Sequence, residues 1–260
     1  MRIVTWNVNS IKQRLPRLLA LLDREAPDIV CLQETKCPDE AFPHEQLAER
    51  GYHAATYGQR AYNGVAVLSR EAPLSLERGF TADPTPDEAR LLTARYDALT
   101  VISAYVINGR AIGDPAYERK LAWLDALRAW IAGTFSPEEP LVLAGDFNVA
   151  PEARDVHDPA GWEGSIHFSE PERTRVRALL DWGFADLLRR HTTDGGIFTW
   201  WDYRAGAFHK GWGLRIDLIL GTEPLAGRVE EVRVDRNERR PKAGEGAPSD
   251  HAPVIATLAD

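Results

Sequence analysis

The chain has 260 residues, of which 44% are hydrophobic and 27% charged, with a formal net charge of −8. A chain of that composition folds and buries roughly three quarters of its unfolded surface. No run approaches the length of about 18 apolar residues that a membrane span needs, and the acidic balance argues against holding nucleic acid by bulk charge alone.

A local basic rim, or an acidic site neutralised by a metal, remains compatible with that charge. Only five of the 31 basic residues are lysine. Arginine forks onto phosphates and stacks on bases; codon bias in a GC-rich genome accounts for the excess equally well. Cys31 and Cys37, the two cysteines, make neither a disulfide framework nor a zinc site. The opening "MRIVTWNVNS" lacks the apolar stretch of a signal peptide. A reduced, cytoplasmic protein is the expectation.

The first strand pattern is Arg2–Trp6. Leu15, Leu18, Leu19 and Leu22 then repeat at helical spacing, with Pro16 expected in a first turn. Short β-branched runs follow at Asp28–Leu32, Gly64–Ser69, Leu91–Tyr96 and Thr100–Val106. A second helix is expected over Tyr117–Ala132, its stripe formed by Leu121, Leu124, Leu127, Trp130 and Ile131. "GTFSPEEP" reads as a loop before a strand at Leu141–Ala144. A third helix is expected at Thr174–Asp181. Strands at Leu214–Leu220, Val229–Val234 and Pro253–Leu258 complete the series, with a loop over Arg236–Pro248. No repeat or linker marks a boundary, so residues 1–260 are expected to form one catalytic domain. Strands outnumber helices and do not alternate with them regularly. That favours an α/β fold of packed sheets with helices outside over a doubly wound parallel sheet.

The polar residues of interest sit at the ends of these runs. "VTWNVN" ends at Asn7, "IVCLQETK" carries Glu34, and "LVLAGDFNVA" carries Asp146 and Asn148. "LRIDLIL" places Asp217 inside an apolar strand, where an ionised acid is costly unless paired, protonated or cation-bound. "SDHAPV" opens the last strand with Asp250 and His251. Neighbours in an extended segment point to opposite faces, so these two serve different partners. Singly, Asn7 and "GDFN" read as turn residues, Glu34 as a cap or ion pair, and His251 as an ordinary histidine. As a set they suit phosphoester hydrolysis. Glu34 and Asp250 are candidate ligands for a hard cation such as Mg²⁺. Asp217 is placed to orient His251, Asp146 to move a proton, and Asn148 to donate to a phosphoryl oxygen.

"TWNVNSI", "CLQETK", "NGVAVLS", "AGDFN", "LRIDLIL" and "PSDHAPV", in this order, resemble the exonuclease III family of apurinic/apyrimidinic endonucleases, within the endonuclease/exonuclease/phosphatase superfamily. The resemblance runs from Arg2 to about Leu258, and "WWDYRAGAFHKGWGLRID" is similar to its DNA-repair branch. It implies a four-layer α-β-β-α sandwich of two mixed β-sheets with helices outside. It also implies an Mg²⁺-dependent enzyme, with Mn²⁺ as a substitute, that cuts double-stranded DNA 5′ to abasic sites and processes blocked 3′ ends as an exonuclease and phosphatase. Carried onto this sequence, Glu34 binds the metal, with Asn7 nearby and Asp250 as a further ligand, direct or through water, and Asp146, Asn148 and His251 border it. His251 pairs with Asp217 and contacts the phosphate, Asp146 transfers the proton, and Asn148 and Tyr105 hold the phosphate. Whether Asp146 or His251 activates water stays open. Asn108 matches a nearby phosphate contact, and Trp200, Leu214 and Ile216 match apolar walls for a base-less sugar. Ile107 stands where the family commonly has proline, so the Tyr105–Asn108 turn is expected to be looser, which bears on Asn108 more than on Tyr105. Lys36, Arg110, Arg204, Lys210 and the cations of Arg236–Lys242 are candidates for a basic rim.

A superfamily phosphodiesterase for lipid or inositol phosphates is expected with secretion or lipid-facing loops. A pancreatic-type deoxyribonuclease is expected with a signal peptide and disulfide-forming cysteines. Neither pattern is visible. A non-catalytic nucleic-acid-binding relative is expected to lack Glu34, Asp217 or His251, and all are present. A monomer is expected.

Overall fold

The structure is a computed structural model and describes residues 1–259. In chain order its elements begin with β1 (Arg2–Asn7), α1 (Ile11–Glu25), β2 (Ile29–Gln33), α2 (His44–Ala48), β3 (His53–Tyr57) and β4 (Val65–Ser69). They continue with β5 (Ser75–Arg78), β6 (Leu91–Arg95), β7 (Thr100–Tyr105), α3 (Pro115–Thr134), β8 (Leu141–Asp146), α4 (Pro159–Trp162) and α5 (Glu170–Trp182). The last third holds β9 (Phe184–Asp186), α6 (Leu187–His191), α7 (Ala207–Lys210), β10 (Asp217–Thr222), α8 (Glu223–Ala226), β11 (Val229–Val234) and β12 (Val254–Leu258).

The strands form two six-stranded sheets, ordered β11-β12-β1-β2-β4-β3 and β5-β6-β7-β8-β10-β9. Each is mixed. β1 runs parallel to β2 and antiparallel to β12, while β7 runs parallel to β8 and β8 antiparallel to β10. Alternate side chains sort to two faces. Ile3, Cys31, Val67, Val101, Val142, Ala144, Ile219 and Ala256 share the core between the sheets. Val4, Trp6, Val30 and Leu32 face outward onto Leu18, Leu21 and Leu22 of α1. Leu141 and Leu143 face outward onto Trp123 and Leu127 of α3 and Leu179 of α5. The result is the expected four-layer sandwich.

Three local expectations need correction. The strand foreseen from Leu214 starts at Asp217, because Leu214 pairs instead through single bridges with Val156 and Trp200. Asp217 is therefore the first residue of its strand, not an interior one. The helix foreseen from Thr174 begins at Glu170, where Ser169 and Glu172 form a capping box and Pro171 fills the first turn. Pro16 lies inside α1, which starts at Ile11, not in the first turn. Its missing N–H deprives only the exposed Lys12 carbonyl of a helical partner.

Candidate active site

Following the inward-facing rows to their ends leads to the site. β1 turns Ile3, Thr5 and Asn7 inward, β7 turns Val101, Ser103 and Tyr105, and β8 turns Val142, Ala144 and Asp146. In each row the apolar core gives way to polar groups at one rim. Gln33, beside Asn7 in the ladder, donates to Thr5 Oγ1 at 3.1 Å and to Ser103 Oγ at 3.3 Å, tying the two sheets together below the site. Tyr105 and Asp217 flank Asp146 in register on either side. Strand pairing alone thus brings Tyr105, Asp146 and Asp217 to one place, and the packing of the two sheets adds Asn7.

Asn7 joins the sheets at the rim. Its Nδ2 donates to Glu34 Oε1 and to Asp146 Oδ2, both at 2.9 Å. Tyr105 also donates to Glu34 Oε1, at 2.9 Å. Glu34 Oε2 takes the Lys36 ammonium at 2.8 Å, and that ammonium donates to Asn9 Oδ1 at 2.6 Å. Asn9 in turn donates to Asp250 Oδ1 at 3.0 Å. Asp250 was expected beside Glu34, but Lys36 and Asn9 stand between them, and its second oxygen accepts from Trp200 Nε1 at 3.0 Å.

His251 faces the other way, as an extended neighbour should. Its Nδ1 lies 2.9 and 3.1 Å from the two Asp217 oxygens, so it carries the proton between them. Its Nε2 lies 3.8 Å from Asp146 Oδ2. Thr199 Oγ1 accepts the Asp217 N–H at 3.1 Å, and Trp6 Nε1 donates to the His251 carbonyl at 3.2 Å. On the far side of Asp146, the Asn148 N–H donates to Oδ1 at 2.9 Å and its Nδ2 to the Val106 carbonyl at 3.0 Å. Asn108 donates to Asn148 Oδ1 at 3.1 Å. Ile107 is buried, and the Val106 N–H donates to the Asp146 carbonyl at 2.9 Å, so this turn is anchored without proline.

Burial and crowding set the charges. Burial drives Asp146 up to about 7, and Asp217 and Glu34 add to the rise against the pull of His251 and Asn7. Burial works against a charged His251, but Asp217 and then Asp146 overcome it and carry the ring to about 10. Burial likewise opposes ionisation of Glu34, yet Lys36 and Asn7 bring it below its usual value. Burial, with Glu34 and Asp146 nearby, holds the Tyr105 phenol well above its usual range. At neutral pH the site holds an imidazolium, a neutral phenol and one carboxyl poised near half protonation.

Several functional residues escaped the sequence reading. Lys120 of α3 is fully buried, and its ammonium donates to the Asn148 carbonyl at 2.7 Å, to the Asn108 carbonyl at 3.2 Å and to Glu172 of α5. His167 Nδ1 lies 2.6 Å from the same Asn148 carbonyl. Burial and the Lys120 charge push that ring down to about 4, so it donates as a neutral imidazole. Asn9, Glu34, Lys36, Asn148 and His167 all have left-handed φ between 43° and 71°. Such strain persists only where the surroundings impose it, and it collects at functional sites. The capping box "SEPE" was a readable sign of Glu172; nothing in the sequence singles out Lys120. The expected sugar walls are largely closed. Leu214 is 0% and Ile216 2% exposed, packed with Phe168, while Trp200 is half-buried with the His167 ring 6.4 Å away.

Asp146, Asp217 and His251 present ligand atoms within 4.8 Å of one another. His251 and Asp217 are engaged with each other, but Asn7, Glu34 and Asp146 offer oxygen donors in a crowded acidic setting, which fits a hard divalent cation. An acid–amide–imidazole site on the rim of a two-sheet sandwich defines a hydrolase of phosphate esters. The sequence match to the Endonuclease/Exonuclease/phosphatase family covers residues 4–251. Exodeoxyribonuclease III of Haemophilus influenzae is 31% identical over 268 residues, covering 98% of this chain and 99% of that protein. The structure of the Neisseria 3′ phosphatase NExo bound to a product DNA hairpin overlays with a TM-score of 0.95 at 39% identity, covering 100% of both chains. That of an AP endonuclease from Archaeoglobus fulgidus overlays at 0.94 and 37% identity, also over 100% of both. The chain belongs to the endonuclease/exonuclease/phosphatase family and, within it, to the exonuclease III group of nucleases.

Proposed function

We propose that this chain is a divalent-metal-dependent DNA-repair nuclease that acts as a single catalytic unit and as a monomer. Its substrates are double-stranded DNA with abasic sites, cut on the 5′ side, and DNA with blocked 3′ ends. The observation that carries the reading is the convergence of Asn7, Glu34, Asp146, Asp217 and His251, from both sheets and both ends of the chain, on one rim. Among the described residues no helix is long and apolar enough to cross a membrane, and we place the protein in the cytoplasm.

In this reading the substrate phosphate lies between His251 Nε2 and the Asn148 amide. The imidazolium, held charged by Asp217, donates to a phosphoryl oxygen. Asp146 sits near neutrality and takes the proton of the attacking water. The Tyr105 hydroxyl, kept protonated, donates to the phosphate once Glu34 turns to other work. Glu34 and Asn7 would hold Mg²⁺ beside Asp146, with Asp250 acting through Asn9. Mg²⁺ bound there would supply charge stabilisation to the phosphoryl and leaving oxygens, and Mn²⁺ shares the oxygen preference that lets it substitute.

Processing of 3′ termini is a second reading with its own support. An abasic sugar must be extruded into a pocket, and the walls Leu214 and Ile216 are almost closed behind His167 and Trp200. A terminal phosphate needs no extrusion, and the Neisseria neighbour is described as a 3′ phosphatase. The test compares a labelled duplex with one abasic site, a duplex ending in a 3′ phosphate, and an intact duplex, in Mg²⁺ and in chelator. Metal-dependent hydrolysis of a damaged substrate is expected, with 3′-phosphate removal the faster if the closed walls govern. Undiminished activity in chelator, or equal cutting of the intact duplex, contradicts the proposal.

A further inference from the structure

This chain neutralises many of its arginines on the spot. Acids pair with Arg17, Arg24, Arg173, Arg175, Arg189 and Arg215, among others. One groove gathers several cations without any acid partner among the described residues. His209, Arg236, Arg240 and Lys242 line a cavity of about 550 Å³ with Phe208 and Pro241. Among the described residues no carboxylate lines it. The acids of the same turn point the other way: Asp235 and Glu238 pair with Arg24, and Glu238 also with Arg17, both on α1. Charge is therefore segregated within a few residues, anions inward and cations outward.

The cations rest on an aromatic floor. The Arg236 guanidinium lies 5.2 Å from the Trp201 ring centre and 5.3 Å from that of Phe208. Arg239 lies 4.8 Å from Tyr203 and 5.3 Å from Phe208. Arg239 is buried beneath the groove, whereas the stacking of the exposed Arg236 limits its side chain and leaves in-plane N–H donors free for a phosphate. The floor also joins the candidate active site. Arg239 donates to the Trp201 carbonyl at 3.2 Å, and the Trp201 N–H donates to the Asp250 carbonyl at 3.0 Å. The floor is thus tied to the backbone that carries Asp250 and His251.

We infer that the groove between α7 and the 236–242 turn is a second phosphate-binding surface, which grips the DNA backbone outside the scissile bond. The inference rests on the proposed function. It explains how a chain of net charge −8 can hold a polyanion: the repulsion is spread over the molecule, while this groove gathers several cations and, among the described residues, no acid.

The test is binding of a fluorescent 3′-phosphate hairpin in chelator, followed by anisotropy between 50 and 200 mM salt. Each phosphate contact contributes about 0.9 to the slope of log affinity against log salt. Arg240→Ser/Lys242→Ser should reduce the slope by about 1.8, so that over this range wild-type affinity falls about twelvefold more than the variant's. Both side chains are exposed and unpaired, so the variant should melt with the wild type. Arg128→Ser, on exposed α3 surface, is the single-charge control. An unchanged slope in the double variant overturns the groove while wild-type hydrolysis of the same hairpin leaves the enzyme reading standing. A control that lowers the slope as much per charge also overturns it, by showing a net-charge effect. A wild type that neither binds nor hydrolyses the hairpin removes both.

Discussion

Asp217→Asn removes one charge and keeps the outline of the side chain. In the structure His251 rises from an ordinary 6.5 to about 10, a preference for the charged ring of roughly 5 kcal/mol. Burial opposes that preference, and Asp217 is its largest support, ahead of Asp146. Without Asp217, burial and Asp146 are left to oppose each other, and the ring falls back toward its ordinary range. A loss of about 2.7 kcal/mol at the phosphate corresponds to about a hundredfold in rate. The assay is single-turnover hydrolysis of the 3′-phosphate hairpin at pH 8, with the His251 ring titrated by NMR in chelator. The sign is fixed by direction: the wild-type ring stays charged through pH 9 and loses its proton near 10, whereas the variant ring is neutral at pH 8. A variant within threefold of wild type, or one whose ring still titrates near 10, refutes the assignment of Asp217 as the group that keeps His251 charged.

Other changes probe the supports of the site. Lys120→Met strands the buried Glu172 carboxylate and should cost about 3–5 kcal/mol in urea unfolding; adding Glu172→Gln should recover part of that stability, but not the hydrolysis rate, because the Asn108 carbonyl still loses its ammonium donor and the Asn148 carbonyl keeps only His167. Gly145→Ala would put a methyl group 1.8 Å from the Ala104 carbonyl oxygen across the β7–β8 ladder. It should lower stability by more than about 3 kcal/mol, and a melt like that of the wild type would contradict the pairing. Lys36→Met frees Glu34 Oε2 of its ammonium partner and should tighten Mg²⁺ binding several-fold by calorimetry; unchanged or weaker binding would count against Glu34 as a ligand.

The sequence announced the buried strands of each sheet, because β-branched runs such as "RIVTW" and "LVLAG" admit few other readings. It did not announce β3, β5 or β9. "SLER" is exposed along its whole length and owes its conformation to pairing with β6, a long-range contact without local signature. The rim residues were legible as acids and amides at strand ends, since the period of two that fills the core also decides which end residue faces the partner sheet. What lay beyond reading was the matrix around them. Asp250 was read as a metal ligand alongside Glu34, facing away from His251, yet Asn9 and Lys36 lie between the two acids. Lys120 looked like any surface lysine, and its burial follows from the packing of α3 against α5 rather than from its neighbours in the chain.

The most direct measurement is a crystal structure of the protein with product DNA and Mn²⁺, phased to locate the metal by its anomalous signal. The account predicts one metal bonded to Glu34 and a phosphate reached by both His251 Nε2 and Asn148 Nδ2. A metal away from Glu34, or DNA whose backbone passes the rim without a phosphate between those two side chains, contradicts it.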